Sequence, residues 1–270
     1  MYVVSLGSGS SGNATLFRTA GGESLLVDCG VAPPKLLRYL TDLGVPLASL
    51  RAAVLTHEHG DHTQSASVLA MRYRVPLYAS PSTASDATLA ALQPRRFPTQ
   101  AAWQIGAFTF TPYRVPHDAG ATYGFLIEAD GCRVALFTDL GTGADALAPV
   151  LASADLIIVE ANHDRTMLAD GAYPWWLKSR IGGKNGHLSN DQCANLLALA
   201  LADDRARDVW LAHLSAHNNT PERAVETVNT ALTAVGLVNQ HVTPLPRTTP
   251  GPIWEMVRTQ QLSLWGDVDS

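Results

Sequence analysis

A chain of 270 residues, 46% of them hydrophobic, has the composition of a compact soluble enzyme built as one large domain or two small ones. Its net charge of −5 weighs against a nonspecific, high-affinity nucleic-acid coat, but not against a nuclease whose positive charge sits in metal ions and a few basic side chains. Three widely spaced cysteines (Cys29, Cys132, Cys193) give neither a disulfide framework nor a cysteine metal site, and read as small buried hydrophobes in a reducing cell.

The predicted elements begin with strands at Tyr2–Leu6, Ala14–Thr19 and Ser24–Asp28, with Gly21-Gly22 as a hairpin turn. The amino terminus lacks a positive region followed by a long apolar core, and no apolar run approaches bilayer length, so a cytoplasmic protein is expected. Pro33–Leu43 reads as a helix ended by Gly44, Arg51–Leu55 as a short buried strand and Thr63–Arg74 as a helix. A short strand at Leu77–Ala79 precedes a predicted helix over Ser82–Leu92. Phe108–Tyr113, Tyr123–Glu128 and Arg133–Thr138 read as strands, the last two joined by the hairpin signal Asp130-Gly131. Then come a helix at Asp145–Ala152, a buried strand at Leu156–Glu160, a helix at Ser189–Ala202, a strand at Val209–Ala212 and a helix at Pro221–Val235. Strands lead in hairpins and then alternate with helices, twice over. This order fits an α/β fold of four layers, two mixed sheets face to face with helices outside, and the absence of a Pro/Ser-rich linker suggests one domain over residues 1–270.

Residues 54–62, Val-Leu-Thr-His-Glu-His-Gly-Asp-His, carry the chemistry. His57, His59, Asp61 and His62 place four metal-ligand side chains in six positions, where a strand gives way to a helix. A single histidine there is ordinarily a cap or a solvated loop residue, but three of the chain's nine within one turn point to metal. Imidazole and carboxylate suit a borderline cation such as zinc. His57 and His59 can address one ion while Asp61 and His62 address a second. The stretch does not fit the single-metal pattern His-Glu-x-x-His, so Glu58 reads as a solvent-facing loop residue.

The spacing His-x-His-x-Asp-His after an apolar strand resembles the metallo-β-lactamase superfamily. That resemblance implies a lone histidine after the next strands (His117), an aspartate at a strand end (Asp139), a last histidine closing a late strand (His213), and an early aspartate supporting the ligand loop (Asp28). Ser8-Gly9-Ser10-Ser11-Gly12-Asn13, Glu160-Ala161-Asn162-His163-Asp164, Tyr173-Pro174-Trp175, Gly186-His187-Leu188-Ser189-Asn190, and Ala212-His213-Leu214-Ser215 with Asn218-Asn219 resemble the WalJ/YycJ-like subfamily over roughly residues 3 to 235. The implied fold is the αββα sandwich, and the implied activity is a phosphodiesterase reported as a 5′→3′ exonuclease on DNA.

By that resemblance, His57, His59 and His117 hold one ion, Asp61, His62 and His213 the other, and Asp139 bridges them. Two dications, zinc or alternatively manganese or iron, would activate a bridging hydroxide for attack on phosphorus. Asp61, Asp139 and His187 are the expected catalytic residues, with His187 protonating the leaving group. Ser189 and Gln192 form a capping box, so a helix start lies just after His187. Ser10, Ser11, Asn13, His163 and His187 are the substrate-binding candidates, although a plain turn would also account for the Gly-Ser letters and a loop role for His163. Asp118 and Thr138 flank ligands and are expected to orient them. The basic group Lys178, Arg180 and Lys184 is expected near the cleft, while Trp175 and Trp176 are expected to pack rather than stack on bases. DNA is the expected partner, ahead of RNA, with no membrane. The competing functions are hydrolysis of a lactone or thioester on the same metal site, a small cyclic-nucleotide phosphodiesterase, and a redox di-iron or purely binding protein, the last disfavoured because His59 and every other ligand are present.

Overall fold

A computed structural model describes residues 1–256; residues 257–270, the tail of the expected domain, lie outside the described residues. The first sheet is built from β1 (Tyr2–Gly7), β2 (Ala14–Arg18), β3 (Ser24–Val27), β4 (Leu50–Val54), β5 (Leu77–Ala79) and β6 (Arg95–Arg96). The second comprises β7 (Trp103–Ile105), β8 (Phe108–Val115), β9 (Thr122–Ala129), β10 (Cys132–Phe137), β11 (Leu156–Glu160), β12 (Arg207–Ala212) and β13 (Gln240–Pro244). A last strand, β14 (Ile253–Glu255), returns to the first sheet beside β1, so each sheet has seven strands in nearly sequential order. Both are mixed: hairpin neighbours run antiparallel, whereas β3–β4–β5 and β10–β11–β12–β13 run parallel.

Strand periodicity sorts the apolar side chains into three cores. Leu25 and Val27 of β3, Phe125 and Ile127 of β9, Val134 and Leu136 of β10 and Trp210 of β12 meet between the sheets. Their chain neighbours point the other way: Leu26 packs on α1 (Pro33–Asp42), whose Leu36, Tyr39 and Leu40 cover the outside of the first sheet. Short α2 (Gly60–Thr63) carries part of the ligand turn on the same side. Ile157, Val159 and Leu211 face outward from the second sheet into a layer that includes α3 (Ala148–Ser153), α6 (Asn190–Ala200) and α7 (Pro221–Ala234), with α4 (Arg165–Asp170) and α5 (Trp175–Ile181) between β11 and α6 in sequence. The expected αββα sandwich is what the chain forms.

Local departures have local causes. The predicted helix over 82–92 is two isolated turns, Thr83–Ser85 and Ala90–Leu92. Side chains there compete for the backbone: Asp86 Oδ1 accepts from Thr88 N and Ser80 Oγ from Thr83 N, and Gln93 closes the segment at φ 49°. The helix predicted at Thr63 starts earlier, at Gly60, and widens to a π turn over Val68–Arg72. The short strands β6, β7, β13 and β14, and helices α4 and α5, have no counterpart among the predicted elements. Among the described residues no helix is long and apolar enough to cross a membrane.

Candidate metal centre

The seven expected ligands converge where strands of both sheets end. Donor atoms of His57, His59 and His117 lie within 4.8 Å of one another, and so do those of Asp61, His62 and His213. Asp139 stands between the groups, with Oδ2 2.9 Å from His62 Nε2 and Oδ1 3.5 Å from His117 Nε2. Three of the residues that aim side chains here, Asp28, Asp139 and His213, follow strands at positive φ (60°, 53° and 55°). Non-glycine residues pay for that conformation, and it persists because the surrounding contacts hold it.

Those contacts also fix each imidazole. His62 Nδ1 donates to Asp28 Oδ2 at 2.8 Å, and Asp28 Oδ1 accepts from Thr56 N, tying the ligand turn to the end of β3. His57 Nδ1 lies 3.0 Å from Thr56 Oγ1, His117 Nδ1 3.3 Å from the Gly186 carbonyl, and His213 Nδ1 donates to Glu160 Oε1 at 2.8 Å. With Nδ1 engaged, Nε2 of His57, His117 and His213 is left buried with no hydrogen-bond partner. Buried polar atoms are rarely left that way, and orphaned imidazole nitrogens converging beside carboxylates fit a cation. Gly30 permits the close approach of the ligand turn: a Cβ there would stand 1.7 Å from the Asp61 carbonyl oxygen.

Burial and the neighbouring carboxylates pull the proton affinities of these histidines in opposite directions. Burial holds His57 and His117 below the ordinary imidazole value. Burial opposes charge on His213 too, but Asp139, Asp61 and Glu160 outweigh it and push the group up to about 10. His62 is likewise driven well up by Asp28 and Asp139 against the cost of burial.

Glu160, to which no role was given on sequence, is the hub of the second half of the site. It is fully buried at the end of β11; Oε1 accepts from His187 Nδ1 (2.9 Å) as well as His213, and Oε2 from Leu140 N and Leu188 N. Against burial, these two histidines hold its carboxyl down at about 2. Glu160 in turn raises His187 above its ordinary value, overcoming the effect of burial. An acidic residue closing the apolar run Leu-Ile-Ile-Val was the available signal.

The cleft over the cluster, of about 280 Å³, is lined among others by Ser10, Asp61, Asp139, Arg180, His187 and His213. His187 precedes α6, and the expected capping box between Ser189 and Gln192 is formed. Other expected residues lie elsewhere. Ser11 is exposed and outside the cleft lining. Asn13 is buried and braces the ligands: its Nδ2 lies 3.3 Å from Asp61 Oδ2 and 3.0 Å from His62 Nε2. His163, expected to face the cleft, turns inward because its loop pairs with the Ser189–Asn190 segment; burial lowers it to about 4. Glu58 is half-buried rather than solvent-facing, accepting from Thr83 Oγ1 and Gly120 N to tie three loops together. Asp118 pairs with Arg180 and also stands 3.3 Å from His117 Nε2 through Oδ1, while the Gly186 carbonyl lies 3.3 Å from His117 Nδ1. Thr138 Oγ1 makes no hydrogen bond, so it orients no ligand. Trp175 and Trp176, expected to pack, are 80% and 63% exposed.

Buried histidines and carboxylates gathered at the strand ends of a two-sheet sandwich define a divalent-metal site of the metallo-β-lactamase kind, and a beta-lactamase superfamily domain matches residues 24–214. The chain belongs to that superfamily, as a metal-dependent hydrolase with a WalJ/YycJ-like sequence. It is 34% identical over 230 residues to the exodeoxyribonuclease WalJ of Streptococcus pneumoniae, covering 83% of this chain and 85% of that one. Identity to the exodeoxyribonuclease YycJ of Bacillus anthracis is 32% over 239 residues, 86% of this chain and 89% of that one. The metallo-beta-lactamase fold protein YhfI of Bacillus subtilis shares the fold, with a TM-score of 0.71 and 23% identity over 94% of this chain and 98% of that one.

Proposed function

We propose that this protein is a dinuclear metal-dependent phosphodiesterase that degrades DNA from the 5′ end. The observation that carries the proposal is the pair of donor triads on either side of Asp139, backed by the Glu160–His187 pair on the cleft wall. The relatives named exodeoxyribonucleases support DNA as the substrate.

His57, His59 and His117 would hold one ion, Asp61, His62 and His213 the second, and Asp139 would touch both. The all-nitrogen and oxygen donor set favours zinc. Two divalent ions would supply a water-derived nucleophile at neutral pH and neutralise charge on the phosphoryl oxygens. The protein's own groups do the rest. Asp28, Thr56 and Asn13 hold the ligand turn; Glu160 fixes His213 and His187 together, so both halves of the site keep one geometry. His187, with Nδ1 given to Glu160 and its proton affinity raised, presents Nε2 to the cleft as a general acid for the departing sugar oxygen. Ser10 and Arg180, on the cleft lining, contact the phosphate.

Hydrolysis of bis(p-nitrophenyl) phosphate by metal-reconstituted wild type and Asp139→Ala tests the chemistry. Metal-dependent turnover lost in the variant is expected. Hydrolysis of lactones or thioesters without any phosphodiester cleavage would overturn it.

A further inference from the structure

We propose that α5 is a stacking platform that guides single-stranded DNA into the metal cleft, with unpaired bases lying on Trp175 and Trp176. The proposal rests on the nuclease reading above and specifies how the substrate reaches the site.

Trp103, Trp210 and Trp254 are half-buried or buried, so this chain ordinarily packs its indoles. Trp175 and Trp176 are instead 80% and 63% exposed, side by side, with no hydrogen bond or ring contact among the described residues. Large adjacent aromatics left in water mark a binding surface. What they bind is indicated by where their helix leads. Tyr173, Leu177, Arg180 and Ile181 line the same cleft as Asp139, His187 and His213. Trp176 lies one helical turn from Arg180, so the two are neighbours on one face. The side chains thus lead from the catalytic cluster, past the Arg180 guanidinium, to the exposed ring of Trp176, with Trp175 on the adjoining face of the same helix.

The platform is also rigidly tied to the catalytic loop. His187 N donates to the Ile181 carbonyl at 2.8 Å, and Gly186 packs so closely that a Cβ there would stand 2.1 Å from that carbonyl oxygen. Lys178 Nζ donates to the Ala169 carbonyl, bracing α5 against α4. Arg180 is more than half exposed and bonds Asp118 through Nε, which leaves its terminal nitrogens for a phosphate. Exposed flat rings beside a cation match unpaired bases with their backbone alongside. Bases inside a duplex are covered on both faces by their neighbours, so the strand that lies along these rings is unpaired.

Binding of 3′-fluorescein-labelled, cleavage-resistant phosphorothioate dT10 to the metal-loaded protein is measured by anisotropy for wild type, Trp175→Ala/Trp176→Ala and Trp175→Phe/Trp176→Phe. Steady-state kinetics on unmodified dT10 and on bis(p-nitrophenyl) phosphate are then compared. Stacking contributes roughly 5- to 150-fold per base. The double alanine variant should bind dT10 at least tenfold more weakly and show a raised KM with little change in kcat. The phenylalanine variant should recover most of the affinity, and turnover of the nitrophenyl diester should stay within twofold. Unchanged dT10 binding in an alanine variant that still degrades DNA would overturn the platform and leave the nuclease reading standing. An equal loss on the nitrophenyl diester would assign the tryptophans to structure and also overturn it. Failure of the wild type to bind or cleave any DNA would remove the nuclease reading, and the platform with it.

Discussion

Glu160→Gln keeps the shape of the most connected side chain in the site and removes its charge. The carboxylate accepts from four donors: His187 Nδ1 at 2.9 Å, His213 Nδ1 at 2.8 Å, Leu140 N at 2.9 Å and Leu188 N at 3.1 Å. A glutamine amide, whichever way it is turned, points its NH₂ at a pair of these donors. Burial opposes the charge, but the two histidines hold the carboxyl at about 2, against an ordinary 4.5. At roughly 1.4 kcal/mol per tenfold change in proton affinity, that is about 3 kcal/mol of stability in the ion-free protein. Because the folded value is depressed, this stability is present above pH 4.5 and lost as pH falls toward 2. The variant should therefore melt about 6–12 °C lower at pH 7 without metal. Catalysis should respond selectively. With metal saturating, kcat on DNA should fall about 10²–10⁴-fold, because His187 no longer has a carboxylate to stabilise its imidazolium. Turnover of bis(p-nitrophenyl) phosphate should fall far less, since nitrophenolate leaves without protonation. The alkaline limb of the DNA pH profile should move to lower pH, as His187 loses the partner that raises it. Equal losses on both substrates with an unmoved alkaline limb would refute the assignment of Glu160 and His187 as the proton-donating pair.

Three further outcomes follow from the same geometry. Asp28→Ala removes the carboxylate that holds both Thr56 and His62, and should weaken metal binding about 10–100-fold by competition with a chelating dye; unchanged affinity would refute that role. Gly30→Ala would place a Cβ 1.7 Å from the Asp61 carbonyl, so the purified variant should retain less than half the wild-type metal by mass spectrometry; full occupancy would contradict the close packing of the turn. His213, held at about 10 without metal, carries a proton at pH 7 that a cation must displace, so metal binding should release protons and tighten as pH rises. Calorimetry in buffers of different ionisation enthalpy should show that release, and buffer-independent heats would count against it.

The candidate metal cluster was legible in the sequence because metal chemistry permits few residue types and strand ends permit few positions. His57, His59, Asp61 and His62 sit in one turn, and the resemblance to the superfamily pointed to His117, Asp139 and His213, each lying just after a strand. The groups that hold those ligands were less legible, since a hydrogen bond between residues distant in the chain leaves no periodic trace. Asp28 was expected by resemblance to support the ligand loop and does hold His62, whereas Glu160 closes a buried strand and only tertiary pairing brings it to His187 and His213. Asn13 read as a substrate-binding residue because its letters suit a turn; its burial against Asp61 depends on the fold of β1 and β2 around the ligand loop. The edge strands β6, β7 and β14 are two or three residues long, too short for a repeating pattern. Trp175 and Trp176 were expected to pack because most aromatic pairs do, and nothing local in Pro-Trp-Trp-Leu distinguishes a helix lying over a cleft from one lying on a core.

The most direct test of the central claim is product analysis on 5′-labelled single- and double-stranded DNA, with the zinc- or manganese-reconstituted protein beside Asp139→Ala. The account predicts labelled mononucleotide from the first time point, dependent on added metal and absent in the variant. Internal fragments without early mononucleotide, or no phosphodiester cleavage under either metal, would contradict it.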